Sequence, residues 1–429
     1  MLARQKKILN RLIHSRLIQN AGALTLVQAV SYIFPLITIP YLTRTLGPVE
    51  WGKVAWAQVI IGYFITLTNF GFLWSGVRKI SSQRESRKFY SRTFIAGWTV
   101  QWLLSVLAIA VILVSTETIN YFTPFRPYAF YGGIMVIAGI LFPVWFFSGL
   151  ERMRELALTQ ICIRTFTIPL IFIFVTQPNH GPRVIAANAI PMLIGGIISI
   201  FWIKKNNLVI WRRPRIYEIK AEFKESGAIF LSRIFIILYT TLTPTIIGVM
   251  TNATAVGQYV LADKVRNAAQ SLLASISQAI FPRLSYLFKH DRKSALHLIK
   301  YSGTVLLFIS ICISIFLFIF SDKIALIMGG NGFDTAASIL RWLSPLPSVI
   351  MISNILGVQI MLPNAMDKTF NKILACAGML SLISITPSIY YYGVQGAAFT
   401  TLTVEIFVSS SMAILLFQCR KEILCTQTG

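Results

Sequence analysis

Charged side chains stand inside long apolar stretches of this chain, where they are expensive to place. Arg164, Arg233, Arg341 and Glu405 each interrupt such a stretch, and Asp263, Lys264 and Arg266 crowd into a single one. A charge at the centre of a hydrocarbon slab costs about 2.5–3.5 kcal/mol on insertion scales, so it turns towards protein or a water-filled cavity. The stretch around Asp263 is the most informative. Asp263, Arg266, Asn267, Gln270, Ser271, Ala274 and Gln278 recur at steps of three and four residues, while Leu261, Val265, Leu272, Ile276 and Ile280 fall elsewhere around the helix. This spacing gathers the polar and small residues into one stripe about four turns long. Two uses of the stripe are open. Asp263 and Arg266, three residues apart, can pair and form a self-neutralised seam between packed helices. Alternatively the stripe walls a cavity in which Lys264 or Arg266 meets an anion, and the excess of cations over carboxylates within the apolar stretches weighs towards this use. Arg341 and Lys53 lie close enough to an apolar boundary to snorkel, whereas Arg233 lies about two turns in, where snorkelling is harder.

The rest of the reactive inventory points away from catalysis. His14, His180, His290 and His297 fall in connecting segments or tails, and Cys162, Cys312, Cys376, Cys419 and Cys425 show neither disulfide nor metal-ligand spacing. No glycine-rich phosphate loop precedes a basic residue, and no nucleophile–base pair is supported by spacing. No catalytic residue, metal or cofactor is therefore assigned, and the expectation is that the chain is not an enzyme. Without a nucleotide-binding motif, energy for transport would come from an ion gradient, the substrate gradient or the membrane potential. Asp263 and Glu405 are the candidate sites for a coupling proton or cation.

These residues need elements to position them. The chain is 55% apolar and only 13% charged, against about a quarter charged in a soluble domain. Twelve apolar stretches are each long enough to cross the membrane as a helix: 20–42, 52–74, 92–115, 128–149, 157–176, 183–203, 226–250, 256–281, 298–320, 336–362, 370–391 and 394–417. The expected fold is an all-α integral membrane protein, its twelve transmembrane helices arranged in two six-helix lobes around a central cavity. A basic arm (1–19) precedes a first span that lacks a convincing cleavage site and is expected to be an uncleaved anchor. The N-lobe spans 20–203, a cytoplasmic linker 204–225, the C-lobe 226–417 and a tail 418–429. A faint echo between the halves, Pro40 to Gly52, Val54 and Ala57 against Pro244 to Gly257, Tyr259 and Ala262, suggests a parallel repeat about an axis normal to the membrane.

The net charge of +24 would suit nucleic acid, but its placement excludes that reading. Of the 39 Lys and Arg, twenty-eight fall in segments on one side of the twelve spans and four on the other. This is the positive-inside asymmetry, and it sets both termini in the cytoplasm. Trp51, Trp74, Trp145, Trp202 and Trp342 lie near span ends and are expected to anchor at the membrane interface. Prolines inside the spans (Pro35, Pro40, Pro143, Pro169, Pro244, Pro345 and Pro347) supply kinks that an alternating-access protein can use for bending.

Several runs resemble a known family. Pro40-Tyr41-Leu42-Thr43-Arg44-Thr45-Leu46-Gly47-Pro48, followed by Gly52, is similar to the first outer loop of bacterial O-antigen and exopolysaccharide repeat-unit flippases. These belong to the multidrug/oligosaccharidyl-lipid/polysaccharide exporter superfamily. Asn69-Phe70-Gly71-Phe72 leading to Ser75 and Arg78 resembles the end of that family's second span. Pro143 through Glu151 resembles its fourth-span motif, with Ser148 where glutamine is more usual. Tyr259 through Asp263-Lys264 to Phe281-Pro282 resembles its eighth span, with Asp263 where glutamate is usual. Gly393, Gly396-Ala397-Ala398 and Glu405 resemble its last span.

The resemblance implies a flippase of the bacterial cytoplasmic (inner) membrane. Its substrate would be an undecaprenyl-diphosphate-linked oligosaccharide, turned from the inner to the outer leaflet for O-antigen or exopolysaccharide synthesis. Membrane lipid, a polysaccharide polymerase and a chain-length regulator are the implied partners, with no role for nucleic acid. A diphosphate, often with acidic sugars, suits a cationic cavity. Arg233, Lys264 and Arg266 are the expected lining, with Arg164 and Lys53 as weaker candidates. Two alternatives stand beside this reading. An exporter of small cationic drugs shares the fold class but would want an acidic cavity, and a membrane polysaccharide polymerase would need a larger outer loop or an exposed catalytic acid.

Overall fold

In the computed structural model the backbone is described for residues 16–364 and 366–418, and side chains for residues 34–231, 241–271 and most positions thereafter. Every regular element among the described residues is helical, as an all-α membrane fold requires. The helices are α1 (Arg16–Asn69), α2 (Phe72–Ser82), α3 (Arg87–Thr118), α4 (Arg126–Leu141), α5 (Val144–Gly149), α6 (Met153–Phe174) and α7 (Gly181–Lys205). They are followed by α8 (Ile216–Met250), α9 (Ala253–His290), α10 (Arg292–Ile319), α11 (Ser321–Gly329), α12 (Asp334–Leu343), α13 (Leu346–Asn354) and α14 (Asp367–Gln418). A π-helical turn, Ile355–Met361, continues α13.

The twelve expected spans lie mostly on helix, with breaks such as that at Phe142–Pro143 inside 128–149. Eight helical stretches among the described residues are long and apolar enough to cross a membrane. Two of them are each a pair of crossings joined at a kink. α1 bends at Gly47 (φ 73°) and α14 at Gly393 (φ 59°), and positive φ is a conformation that a β-carbon resists. The seventh and eighth spans lie on α8 and α9. Neither is among the eight, and α9 carries Asp263, Lys264 and Arg266 together in its first half. The residues that make α9 informative also lower its hydropathy. The chain is a multi-pass membrane protein. Large apolar side chains such as Leu103, Phe201, Phe308 and Ile383 are left exposed, as lipid contact demands.

The chain separates into two compact units. One holds the residues up to Leu46 with Lys53–Ile234, the other Gly47–Gly52 with the residues from Phe235 onwards. The first unit packs around aromatic rings. Phe72 stacks on Trp145 with centroids 5.3 Å apart, Phe94 meets Phe146 at 4.4 Å, and the Trp145 indole donates to Gln101 Oε1 at 3.1 Å. In the second unit, Met361, Ile373, Ala377, Val404, Val408 and Met412 form a buried apolar cluster. The expectation that Trp51 and Trp145 are interfacial anchors is corrected. Each is only 1% exposed, against 53% for Trp74 and 42% for Trp342. Closeness in sequence to a span end does not set depth, because a neighbouring helix can cover that end.

The six-residue segment 47–52 shows how the Pro40–Gly52 motif works. Gly47 makes the turn, and Trp51 then donates its indole N–H to the Gly257 carbonyl at 3.1 Å. Gly52 lies so close to α9 that an added β-carbon would sit 2.0 Å from the Ala253 carbonyl oxygen. Only glycine fits there.

Candidate functional site

α9 begins at Asn252, whose side chain accepts the Ala255 N–H at 2.9 Å and caps the first turn. From there the 3.6-residue repeat carries the polar stripe down one face. Asp263 pairs with Arg266 and also accepts from Asn267 Nδ2 at 2.9 Å. Arg266 donates onward to Gln270 Oε1 at 2.8 Å. The pairing that the i, i+3 spacing allows is therefore made. The Arg266 side chain is only 11% exposed, and its Nε is a buried donor with no acceptor among the described residues.

Neighbouring helices close around this group. The Tyr259 hydroxyl, one turn before Asp263, shares a hydrogen bond with Thr401 of α14 at 3.2 Å and another with Thr243 of α8. Glu405, one turn beyond Thr401, is near enough to act electrostatically on Arg266. Within the second unit Asp263 and Arg266 thus form a charged pair, and Glu405 of α14 adds to the electrostatics of Arg266. Lys264 points to another side of α9, with its ammonium 5.3 Å from the Trp51 ring centre.

The remaining predicted residues are placed as follows. Arg164 and Lys53 belong to the first unit. The Arg164 guanidinium lies 5.2 Å from the Phe34 ring centre, a contact that suits a cation in a desolvated setting. The side chain of Arg233 lies outside the described residues. Arg341 reaches Ser321 Oγ at 2.9 Å and pairs with Asp322, both in the first turn of α11.

Sequence reasoning missed a second polar chain in the same unit. Ser277 of α9 donates to Asn354 Oδ1 at 2.6 Å, and Gln359 Nε2 donates to Ser277 at 2.9 Å. Gln359 is fully buried on the π-helical turn, and its Oε1 finds no donor among the described residues. A π-turn frees a carbonyl from the regular ladder and often marks a site where a helix is re-aimed. The available signal was a lone glutamine inside the apolar stretch 336–362. Gln258 was missed as well. It ties α9 to the turn before α12, donating to the Gly332 carbonyl at 2.7 Å and accepting from the Ala336 N–H at 2.9 Å. Among the described residues no group of His, Cys, Asp or Glu is arranged to hold a metal ion.

Comparison with known proteins places the chain. Residues 17–288 match the model of the family described as "Polysaccharide biosynthesis protein". A curated protein of Escherichia coli (strain K12), named "Putative O-antigen transporter", is 32% identical over 95% of this chain and 98% of its own length. A protein of the same name from Shigella dysenteriae is 30% identical over 91% and 97%. Among solved structures, an inward-facing multidrug resistance MATE family transporter of the MOP superfamily covers 94% of this chain and 96% of its own, at TM-score 0.76 and 11% identity. A MOP superfamily transporter from Pyrococcus furiosus gives a TM-score of 0.62, also at 11% identity, with 96% of each chain covered. At that identity these structures establish the shared fold.

Proposed function

This chain belongs to the polysaccharide biosynthesis protein family, and we propose that it flips an undecaprenyl-diphosphate-linked oligosaccharide across the bacterial inner membrane by alternating access. Both termini face the cytoplasm in this reading. The observation that carries it is the buried polar group on α9. Arg266 is held by Asp263 and Gln270, yet its Nε donor meets no acceptor among the described residues. An unmet buried donor costs about 1–3 kcal/mol. A fold tolerates that cost where a ligand supplies the acceptor, and a diphosphate or an acidic sugar is such an acceptor. The Asp263 carboxylate keeps Arg266 affordable before the substrate arrives, and Lys264 and Arg233 are further candidates for binding the anionic substrate. Arg164 and Lys53 are weaker candidates for the same role. Glu405 and Asp263 take the coupling ion where transport is ion-driven. The chemistry asked of the protein is binding and movement, with no covalent step.

The names of the two relatives agree with this reading, and the positive-inside asymmetry supports the orientation. In a strain lacking its own flippase, Arg266→Ala and Arg233→Ala abolish polysaccharide export while protein levels stay normal. Export that survives both substitutions at normal levels overturns the assignment. An exporter of small cations on the same fold would show the opposite pattern, with export retained and dye resistance lost in Glu405→Gln.

A further inference from the structure

The first unit carries a second cationic feature, well away in sequence from α9 and at the edge of the apolar stretches. The start of α3, the segment before α8 and the first turn of α8 enclose a cavity of about 400 Å³. Its walls include Lys88, Arg92, Arg212, Arg215, Tyr217 and Glu218. Four cationic side chains thus face one carboxylate.

Glu218 organises the pocket. Its side chain is 3% exposed and takes a bond of 2.7 Å from Arg92 Nε and bonds of 2.6 and 2.7 Å from Arg212. The Arg215 backbone N–H adds a further bond at 2.9 Å. Burial opposes charge on this carboxyl, but the two guanidiniums and the backbone N–H outweigh it and hold Glu218 below the usual carboxylate range. Its four contacts leave it fully used. Tyr217 braces the opposite wall: its hydroxyl accepts from Arg92 at 2.9 Å, and the Arg92 and Arg215 guanidiniums lie 5.2 and 6.0 Å from its ring centre. Ser91 Oγ accepts the Ile210 N–H at 3.0 Å and fixes the segment before α8 against α3. Lys88 and Arg215 pair with no carboxylate among the described residues.

We propose that this cavity is a binding site for a phosphoryl group, carried either by an anionic lipid headgroup or by a soluble phosphorylated ligand. Three of its four positive charges are left over once Glu218 has neutralised one. Planar guanidiniums already oriented by a buried acid lose little freedom on gripping a tetrahedral oxyanion, which favours phosphate over a single carboxylate. The volume accommodates a diphosphate or a glycerophosphoryl headgroup. The site does not depend on the proposed substrate. Its placement on the cytoplasmic side rests on the orientation given above.

The test uses the full-length chain in phosphatidylcholine nanodiscs. Trp211 adjoins Arg212 and packs against Phe94 and Trp98, so its fluorescence reports on the pocket. Inorganic diphosphate is titrated in one arm. In the other, phosphatidylglycerol is added to the nanodiscs and retained lipid is counted by native mass spectrometry. The variant is Lys88→Gln with Arg215→Gln, which leaves the Glu218 side-chain pairs intact. Saturable binding in either arm, weakened about ten-fold in a variant of unchanged melting temperature, supports the site. The arm that responds identifies the source. Each single substitution is used where the double variant fails to accumulate, with about three-fold weakening expected. No saturable binding in either arm, or equal binding by wild type and variant, overturns the proposal. Loss of diphosphate binding leaves polysaccharide export as a separate readout, so failure here and failure of the flippase reading are told apart.

Discussion

At Gly52 a single missing methyl group determines whether two helices can meet. A β-carbon there would lie 2.0 Å from the Ala253 carbonyl oxygen and 2.5 Å from its carbon. Both are backbone atoms, so no rotamer change relieves the clash. Gly52→Ala therefore costs about 3 kcal/mol, at the upper end of overpacking penalties, and lowers the melting temperature and folded yield. Gly62→Ala is the control. Nothing lies within 4 Å of its added carbon, so the change is neutral or stabilising by about 0.4–1 kcal/mol. Equal melting temperatures for the two variants would show that α9 does not approach Gly52 as described. Arg266 illustrates the same scale with charge. The i, i+3 pair was readable from the sequence, but its third partner Gln270, its unmet Nε and the nearness of Glu405 required neighbouring turns and a second helix.

At the scale of elements, the first turns of α8 hold a row of acids that face α2 and α3. Glu218 meets Arg92 and Arg212, Glu222 meets Lys79 at 2.9 Å, and Glu225 meets Lys79 at 2.7 Å and Arg78 at 2.9 Å. The sequence marked 204–225 as a mixed-charge connection. Its last ten residues are helix, held to the first unit by these pairs. The acids titrate in opposite directions. Burial resists ionisation of Glu218 and Glu225, yet their cationic partners lower both. Burial dominates at Glu222 and raises it, with Lys79 only partly offsetting. A lowered carboxyl binds its proton less tightly when folded, so its stabilisation is present above the ordinary value, about 4.3, and is lost as pH falls through the lower folded value. A raised carboxyl stabilises below the ordinary value and loses that contribution as pH rises through its folded value. Glu218→Gln thus lowers the melting temperature at neutral pH by an amount corresponding to about 2 kcal/mol, and the deficit shrinks on strong acidification. Glu222→Gln costs less at neutral pH, because Lys79 keeps Glu225 and the ionised form is already disfavoured. Melting curves across pH check both, and a larger neutral-pH loss for Glu222→Gln would contradict the assignment.

For the whole molecule, twelve crossings and the asymmetry of Lys and Arg make a testable topology. Green fluorescent protein joined after Gly429 fluoresces, and alkaline phosphatase joined at the same point is inactive. Phosphatase inserted in the segment 116–127 is active. The reverse pattern would invert the orientation while leaving the fold untouched. The exposed apolar side chains on both units, among them Leu103 and Phe308, have no aqueous use and follow from the same placement in lipid.

The sequence by itself determined the all-helical membrane fold and where its long apolar stretches lie. A membrane leaves the backbone no partner except its own helix, so hydropathy and length mark most spans, and residue period places a stripe on α9. Family membership was also visible, because motifs such as Pro40–Gly52 and Pro143–Glu151 encode turns and close approaches that few residue types satisfy. Only the tertiary structure decided which of those positions are core and which meet lipid. Trp51 and Trp145 sit near span ends and are nevertheless buried, and Tyr259 could be given no partner until Thr401 of α14 was laid beside α9. The Glu218 pocket lay hidden for the same reason: its walls come from residues 88–92 and 210–218. Neither segment signals the other, because a contact between helices depends on how their axes pack, and residue spacing along one chain segment carries no record of that.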